Sequence, residues 1–276
     1  ARTRFDNLYS GDEKIFLYAG LKDNLASPMP NLLTESGFVD IISGDLEGKQ
    51  EEYVIKINDL VVNNTDQVTF NVYRSNLYSG LARLYTRKYN FPTVYTDADN
   101  GKSIQPKYYY TGDFNGDGRM EVLATSIHQP FGDTGKPSKC YVFDLVNDKI
   151  LFQDYVFPFN IDFVGVRQSD PDAANNNSDK LLVMDYDGDG KTDICHINGN
   201  GVDIYTFETS GSKIVGARKT ASYTGLNKAA LENRRLLVGE FNGDGLMDLL
   251  VSPSSQGGDS KWTVYNSKGN GQFDKS

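Results

Sequence analysis

Val183-Met184-Asp185-Tyr186-Asp187-Gly188-Asp189-Gly190-Lys191-Thr192-Asp193-Ile194-Cys195 governs the reading of the whole chain. Between Asp185 and Asp193, acidic residues alternate with glycines, and short apolar runs flank the loop on both sides. Such runs around a Gly-rich turn read as two antiparallel strands joined by the loop. The pattern recurs around Asp113-Phe114-Asn115-Gly116-Asp117-Gly118-Arg119-Met120-Glu121 and around Glu240-Phe241-Asn242-Gly243-Asp244-Gly245-Leu246-Met247-Asp248. A weaker copy starts at Asp45, and the first acidic residues lie 68, 72 and 55 positions apart. Recurrence at this spacing marks a repeat protein, and a repeat outranks any single local signal.

The loops carry a definite chemistry. Oxygen-bearing side chains stand at positions one, three, five and nine, while glycines at four and six let the backbone curl where a side chain would strain it. Dense hard oxygen donors in flexible geometry suit calcium. The first loop offers Asp113, Asn115, Asp117 and Glu121 with the carbonyl of Arg119. The second offers Asp185, Asp187, Asp189 and Asp193 with the carbonyl of Lys191, and the third Glu240, Asn242, Asp244 and Asp248 with that of Leu246. Two to three Ca2+ ions are therefore expected. The weak copy reads as one residue shorter, lacks the second glycine and has Lys49 at an acidic position, so Asp45 and Glu47 should hold no metal. An EF-hand is excluded, because position twelve is Ala124, His196 or Val251 and the flanks read as strands. Asx-rich hairpin turns are the plainer alternative, since Asp, Asn and Gly favour turns without any ion.

Further strand-like stretches, at Gln67–Tyr73, Cys140–Asp144, Val202–Phe207 and Trp262–Tyr265, give each unit about four strands. The expected architecture is all-β, a β-propeller of about four four-stranded blades, complete or part of a larger one. Its units are approximately 36–105, 106–165, 166–232 and 233–276, with one short helix-like stretch at Lys228–Arg235. Polar segments at His128–Lys139, Ser169–Lys180 and Ser252–Lys261 interrupt the pattern, and insertions in repeat proteins gather on one face, where a partner would bind.

Composition limits the function. The chain has 276 residues, with 17 Tyr, 15 Phe and 27 Gly, which favours strands and tight turns. A net charge of −9 argues against nucleic acid or an anionic membrane as partner. No apolar run is long enough for a membrane-spanning helix, so direct insertion is not expected. Ten carboxylates fall inside the three loops, so the acidity is local. Cys140 and Cys195 could pair, but both sit in strand-like runs and read first as buried thiols. His128 and His196 lie near no Ser-Asp constellation, and no nucleotide, hydrolase-elbow or zinc-protease motif occurs. Paired carboxylates could act as in glycoside cleavage, but the conspicuous ones are committed to the loops. Tyr108, Tyr109, Tyr110 and Trp262 could stack on a sugar, though packing between blades is the first expectation.

The loops, their strand flanks and the closing Asn266–Phe273 segment resemble FG-GAP/VCBS repeats of integrin α-subunit propellers and bacterial surface proteins. The resemblance covers roughly 36–276, and the Tyr-rich units are more loosely similar to propeller regions of bacterial Rhs-type and toxin-complex proteins. It implies that the calcium loop joins the outer strands of a blade hairpin and pins the blade without catalysing. The implied function is a non-catalytic, calcium-binding module for protein or glycan interaction, in an extracellular, cell-surface or periplasmic setting. A shell or spacer segment of a larger secreted protein is the alternative, and a propeller-type polysaccharide lyase or glycoside hydrolase a more distant one. Association with the remainder of a larger propeller, or with a second copy, follows from its exposed edges.

Overall fold

Each acidic loop connects the first and second strands of its own four-stranded antiparallel sheet. The computed structural model describes residues 18–21, 24–28, 40–62, 65–76, 80–92, 107–126, 139–156, 180–231, 234–254, 257 and 260–276. A hairpin of β1 (Tyr18–Leu21) and β2 (Asn24–Pro28) comes first. The first sheet holds β3 (Asp40–Gly44), β4 (Tyr53–Val62), β5 (Thr65–Asn76) and β6 (Gly80–Pro92). The second holds β7 (Lys107–Gly112), β8 (Glu121–Ser126), β9 (Lys139–Asp144) and β10 (Lys149–Val156). The third holds β11 (Lys180–Met184), β12 (Asp193–Ile197), β13 (Val202–Ser210) and β14 (Lys213–Tyr223). The fourth holds β15 (Leu236–Gly239), β16 (Asp248–Val251), β17 (Thr263–Ser267) and β18 (Phe273–Lys275).

The chain is all-β, and within each sheet the strands follow one another in sequence order. Adjacent antiparallel strands need only a short turn, so every connection inside a sheet is local. The helix-like stretch at Lys228–Arg235 reduces to a 3-10 turn, Lys228–Leu231, where the Asn227 side chain accepts the Ala230 N–H at 3.0 Å. The segment from His128 to Ser138, the one from Ser169 to Asp179, and parts of Ser252–Lys261 lie outside the described residues. The expected partner-facing insertions therefore lie outside them in large part.

Strand register repeats from sheet to sheet. The residue before the first acidic position pairs with the ninth loop residue in all four: Gly44 with Tyr53, Gly112 with Glu121, Met184 with Asp193 and Gly239 with Asp248. The weak copy is thus not one residue shorter. It has the same length, with Tyr53 at position nine, and Gln50 replaces the second glycine at φ 59°. A non-Gly residue there is uncommon, and two backbone hydrogen bonds to Asp45 hold the turn in place.

One cross-strand row on each of the first three sheets faces the next sheet. Ile42, Ile55 and Val72 pack against Tyr109, Val122, Tyr141 and Phe143 of the second sheet. Tyr110, Leu123 and Val142 pack against Leu181, Ile194, Tyr205 and Phe207 of the third. Leu182, Cys195 and Ile204 pack against Leu249, Val251, Tyr265 and Phe273 of the fourth. Side chains alternate across a strand, so the second and third sheets bury apolar residues on both faces. Cys140 and Cys195 fall into different cores; both are buried free thiols. Tyr109 and Tyr110 also pack between sheets, while Trp262 is exposed.

The first strands β3, β7 and β11 neighbour one another across the sheet boundaries. The loops therefore lie where successive sheets meet, and each joins the first and second strands of its sheet. Between the second and third sheets this close approach requires a residue without a side chain. A Cβ on Gly112 would lie 2.5 Å from Cγ2 and 2.7 Å from Cβ of Thr192, in the next loop. Thr192 cannot swing its own Cβ aside, so Gly112→Ala must separate the second and third sheets. We expect a loss of about 1–3 kcal/mol, read as a lower urea midpoint at unchanged slope.

Candidate metal-binding loops

Within each loop, the two terminal carboxylates do most of the folding. Asp113 accepts the N–H groups of Gly116 (2.7 Å), Asp117 (3.1 Å) and Gly118 (2.8 Å). Asp185 likewise accepts those of Gly188 (2.8 Å) and Gly190 (3.0 Å). The glycines accept this curl at φ between 76° and 86°, a region that costs other residues strain. At the far end, the ninth carboxylate accepts the N–H of position two: Glu121 from Phe114 at 3.0 Å, Asp193 from Tyr186 at 3.2 Å and Asp248 from Phe241 at 3.0 Å.

Two of the three loops bring carboxylates together. One ligand atom each of Asp113, Asp117 and Glu121 lies within 4.8 Å of the others, and the same holds for Asp185, Asp187 and Asp193. Glu121 and Asp193 are buried. Burial pushes Glu121 up to about 8, helped by the negative charges of Asp117, Asp113 and Asp144 and opposed by the Phe114 N–H. Burial also pushes Asp193 up to about 7, against the pull of the Thr206 hydroxyl and the Tyr186 N–H. Asp185 is raised as well, again mainly by burial. A carboxylate so placed either takes a proton or shares its charge with a cation.

The donor set, all carboxylate and amide oxygen with backbone carbonyls at hand, fits a hard divalent cation such as calcium. In the first loop, Asn115, Asp117 and Arg119 are already engaged with one another. The Asn115 amide donates to Asp117 at 3.2 Å and to Glu121 at 3.1 Å. The Arg119 guanidinium donates to Asp117 at 2.6 Å and holds its carboxyl below the usual range. In the second loop Asp189 stands outside the cluster and accepts the Lys191 N–H at 2.8 Å, leaving Asp187 as the third member.

The third loop differs. Among the described residues, Glu240, Asp244 and Asp248 form no such group. Glu240 turns its longer side chain onto the N–H groups of Asn242 (2.9 Å) and Gly243. Asp244 is occupied by the Asn242 amide at 2.9 Å and the Leu246 N–H at 2.8 Å, and Asp248 receives the Ser267 N–H at 2.8 Å. In the weak copy Lys49 sits 2.6 Å from Glu47, an ion pair that lowers the Glu47 carboxyl.

Other roles in this region are tertiary. The eighth residue's N–H donates to the first residue's carbonyl in the preceding loop: Met120 to Asp45 (3.0 Å), Thr192 to Asp113 (2.7 Å) and Met247 to Asp185 (3.3 Å). The seventh side chain lies over the preceding loop's first glycine, with Arg119 against Gly48, Lys191 against Gly116 and Leu246 against Gly188. Thr206, on β13, donates to Asp193 at 2.6 Å. It lies 13 residues further along the chain, and no loop motif marks it. His196 is buried on β12, and His128 lies outside the described residues.

No protein-family model matches the chain, and no curated protein matches it. Similar solved structures include an Agrocybe aegerita lectin recognising non-reducing terminal N-acetylglucosamine, at 15% identity and TM-score 0.48, covering 96% of this chain and 65% of that one. A Bacillus licheniformis rhamnogalacturonan lyase follows at 14% identity and TM-score 0.43, covering 86% of this chain and 41% of that one. An exotype rhamnogalacturonan lyase gives 12% identity and TM-score 0.42, covering 94% of this chain and 52% of that one. This chain spans less than two thirds of each, and at such scores no activity is carried over from them.

Proposed function

We propose that this chain is a calcium-stabilised repeat module of the FG-GAP kind, with its four sheets as successive blades of a β-propeller, serving interaction and scaffolding. The observation that supports it most directly is the gathering of Asp113, Asp117 and Glu121, and of Asp185, Asp187 and Asp193, around a buried ninth carboxylate. Two ions are assigned, one to each cluster. The third loop, with Glu240 folded onto backbone N–H groups, is the weakest site. Bound calcium offsets the mutual repulsion of the loop carboxylates, and each loop lies at the seam between sheets, so ion binding stabilises the array by mass action. No catalytic role is assigned to these carboxylates; the ion and the turns employ them.

Sites of this type bind in the range of about 0.1–1 mM when they serve extracellular modules, which suits a secreted or surface setting. The partner is a protein or a glycan. Titrating the chelator-treated chain with calcium in a calorimeter should give two ions, a raised melting temperature, and one ion fewer in either Asp113→Asn or Asp185→Asn. Neither heat nor a melting shift at millimolar calcium would reduce the loops to Asx-capped turns.

A further inference from the structure

The second loop residue is a knob that the next sheet covers. Leu46, Phe114 and Tyr186 are 1%, 0% and 3% exposed, each in the core between its own sheet and the following one. Phe114 meets Phe207 edge-on at 5.6 Å, and Tyr186 meets Phe273 at 5.4 Å. Phe241, at the same position in the loop of the fourth sheet, is 46% exposed. The row beside it corresponds to the three buried rows: Leu237 pairs with Leu250, and Leu250 with Val264. Leu237 is 49% exposed, as is Trp262 at the start of the same face. The backbone tells the same story. The carbonyls of Asp45, Asp113 and Asp185 each receive an N–H from the following loop, but no described residue donates to the carbonyl of Glu240.

We infer that the outer face of the fourth sheet, formed by Leu237, Phe241, Leu250, Trp262 and Val264, is a docking surface for a further four-stranded unit of the same repeat. The occupant's chemistry follows from the three existing interfaces. It presents an aliphatic and aromatic face like Leu249, Val251, Tyr265 and Phe273, and a loop whose eighth N–H reaches the Glu240 carbonyl. An exposed apolar face of this kind marks an interaction site. A second copy of the chain does not fit head to tail. Its first sheet carries Lys56 and Asn71 opposite one another on the face in question, and both are already buried. The inference rests on the repeat reading and not on calcium, so a failed calcium titration leaves it standing.

Sheet four already packs on an aliphatic row, Leu182, Cys195 and Ile204, so a duplicate of residues 234–276 appended after Ser276 is a suitable probe. Trp262 is the chain's single tryptophan, and Trp262→Phe in the appended copy leaves the original as sole reporter. The expected result is a blue-shifted Trp262 emission, roughly twofold less quenching by acrylamide as the ring is covered, and a melting temperature raised by several degrees. Phe241→Asp in the original copy should abolish these gains while leaving the unextended chain's melting temperature unchanged. An equally quenchable Trp262 in the folded, extended chain would overturn the inference. So would an unextended chain that sediments as a dimer dissociated by Phe241→Asp, which makes the occupant a second copy. Loss of stability from Phe241→Asp in the unextended monomer would mean the face is already covered, with the same consequence.

Discussion

Truncating Phe114 to alanine should destabilise the chain by about 3–5 kcal/mol, the usual cost of deleting a fully buried aromatic ring. The ring is inaccessible to solvent and lies edge-on to Phe207 across the boundary between the second and third sheets. Removal leaves a cavity whose walls belong to two sheets, including the rigid rows of β8 and β13, so collapse recovers little. The same substitution at Phe241 is expected to change stability by less than about 0.5 kcal/mol, because the half-exposed ring has no such neighbour. Urea denaturation of the two variants side by side is the check. Equal losses would mean that position two acts within its own loop, through local packing, and not as a contact between sheets.

The second large effect is the removal of a pH dependence by calcium. Glu121 at about 8 and Asp193 at about 7 both lie above the ordinary carboxylate range, raised first by burial. A group with a raised folded-state pKa binds more protons folded than unfolded through the intervening window. Its contribution is therefore complete below the unfolded value near 4 and is lost as pH rises through the folded value. Without calcium, the chain should lose stability on the order of a few kcal/mol between about pH 5 and pH 8.5. Calcium binds only the ionised forms, so its affinity should rise over the same interval and offset the loss. Thermal melts across pH give a falling curve with chelator and a nearly level one with saturating calcium, because the calcium-bound carboxylates hold no proton to lose. Parallel curves would separate the buried carboxylates from the ion. Glu121→Gln should flatten the calcium-free curve, since the amide carries no proton to lose.

Much of the fold was legible before any coordinates. Glycines at loop positions four and six, with apolar runs on either side, specify a strand, a tight curl and a returning strand from local chemistry alone. The stretches at Gln67–Tyr73, Cys140–Asp144 and Val202–Phe207 fall within β5, β9 and β13, because alternation and β-branched or aromatic content act over neighbouring residues. The carboxylate-rich loops were equally plain. The weak copy reads one residue short in sequence, because only strand pairing places Tyr53 at position nine.

The sequence by itself determined the number of strong loops, their internal curl and the kind of atom they can offer an ion, since each depends on residues within a few positions of one another. Tertiary structure decided what those loops do together. Only packing sets which row of each sheet is covered, ties the Thr192 N–H to the Asp113 carbonyl, and brings Thr206 to Asp193. It also distinguishes three buried knobs from the exposed Phe241, although all four occupy the same position in the repeat. Burial belongs to a pair of surfaces. A single repeat unit encodes one of them, and the next unit must supply the other.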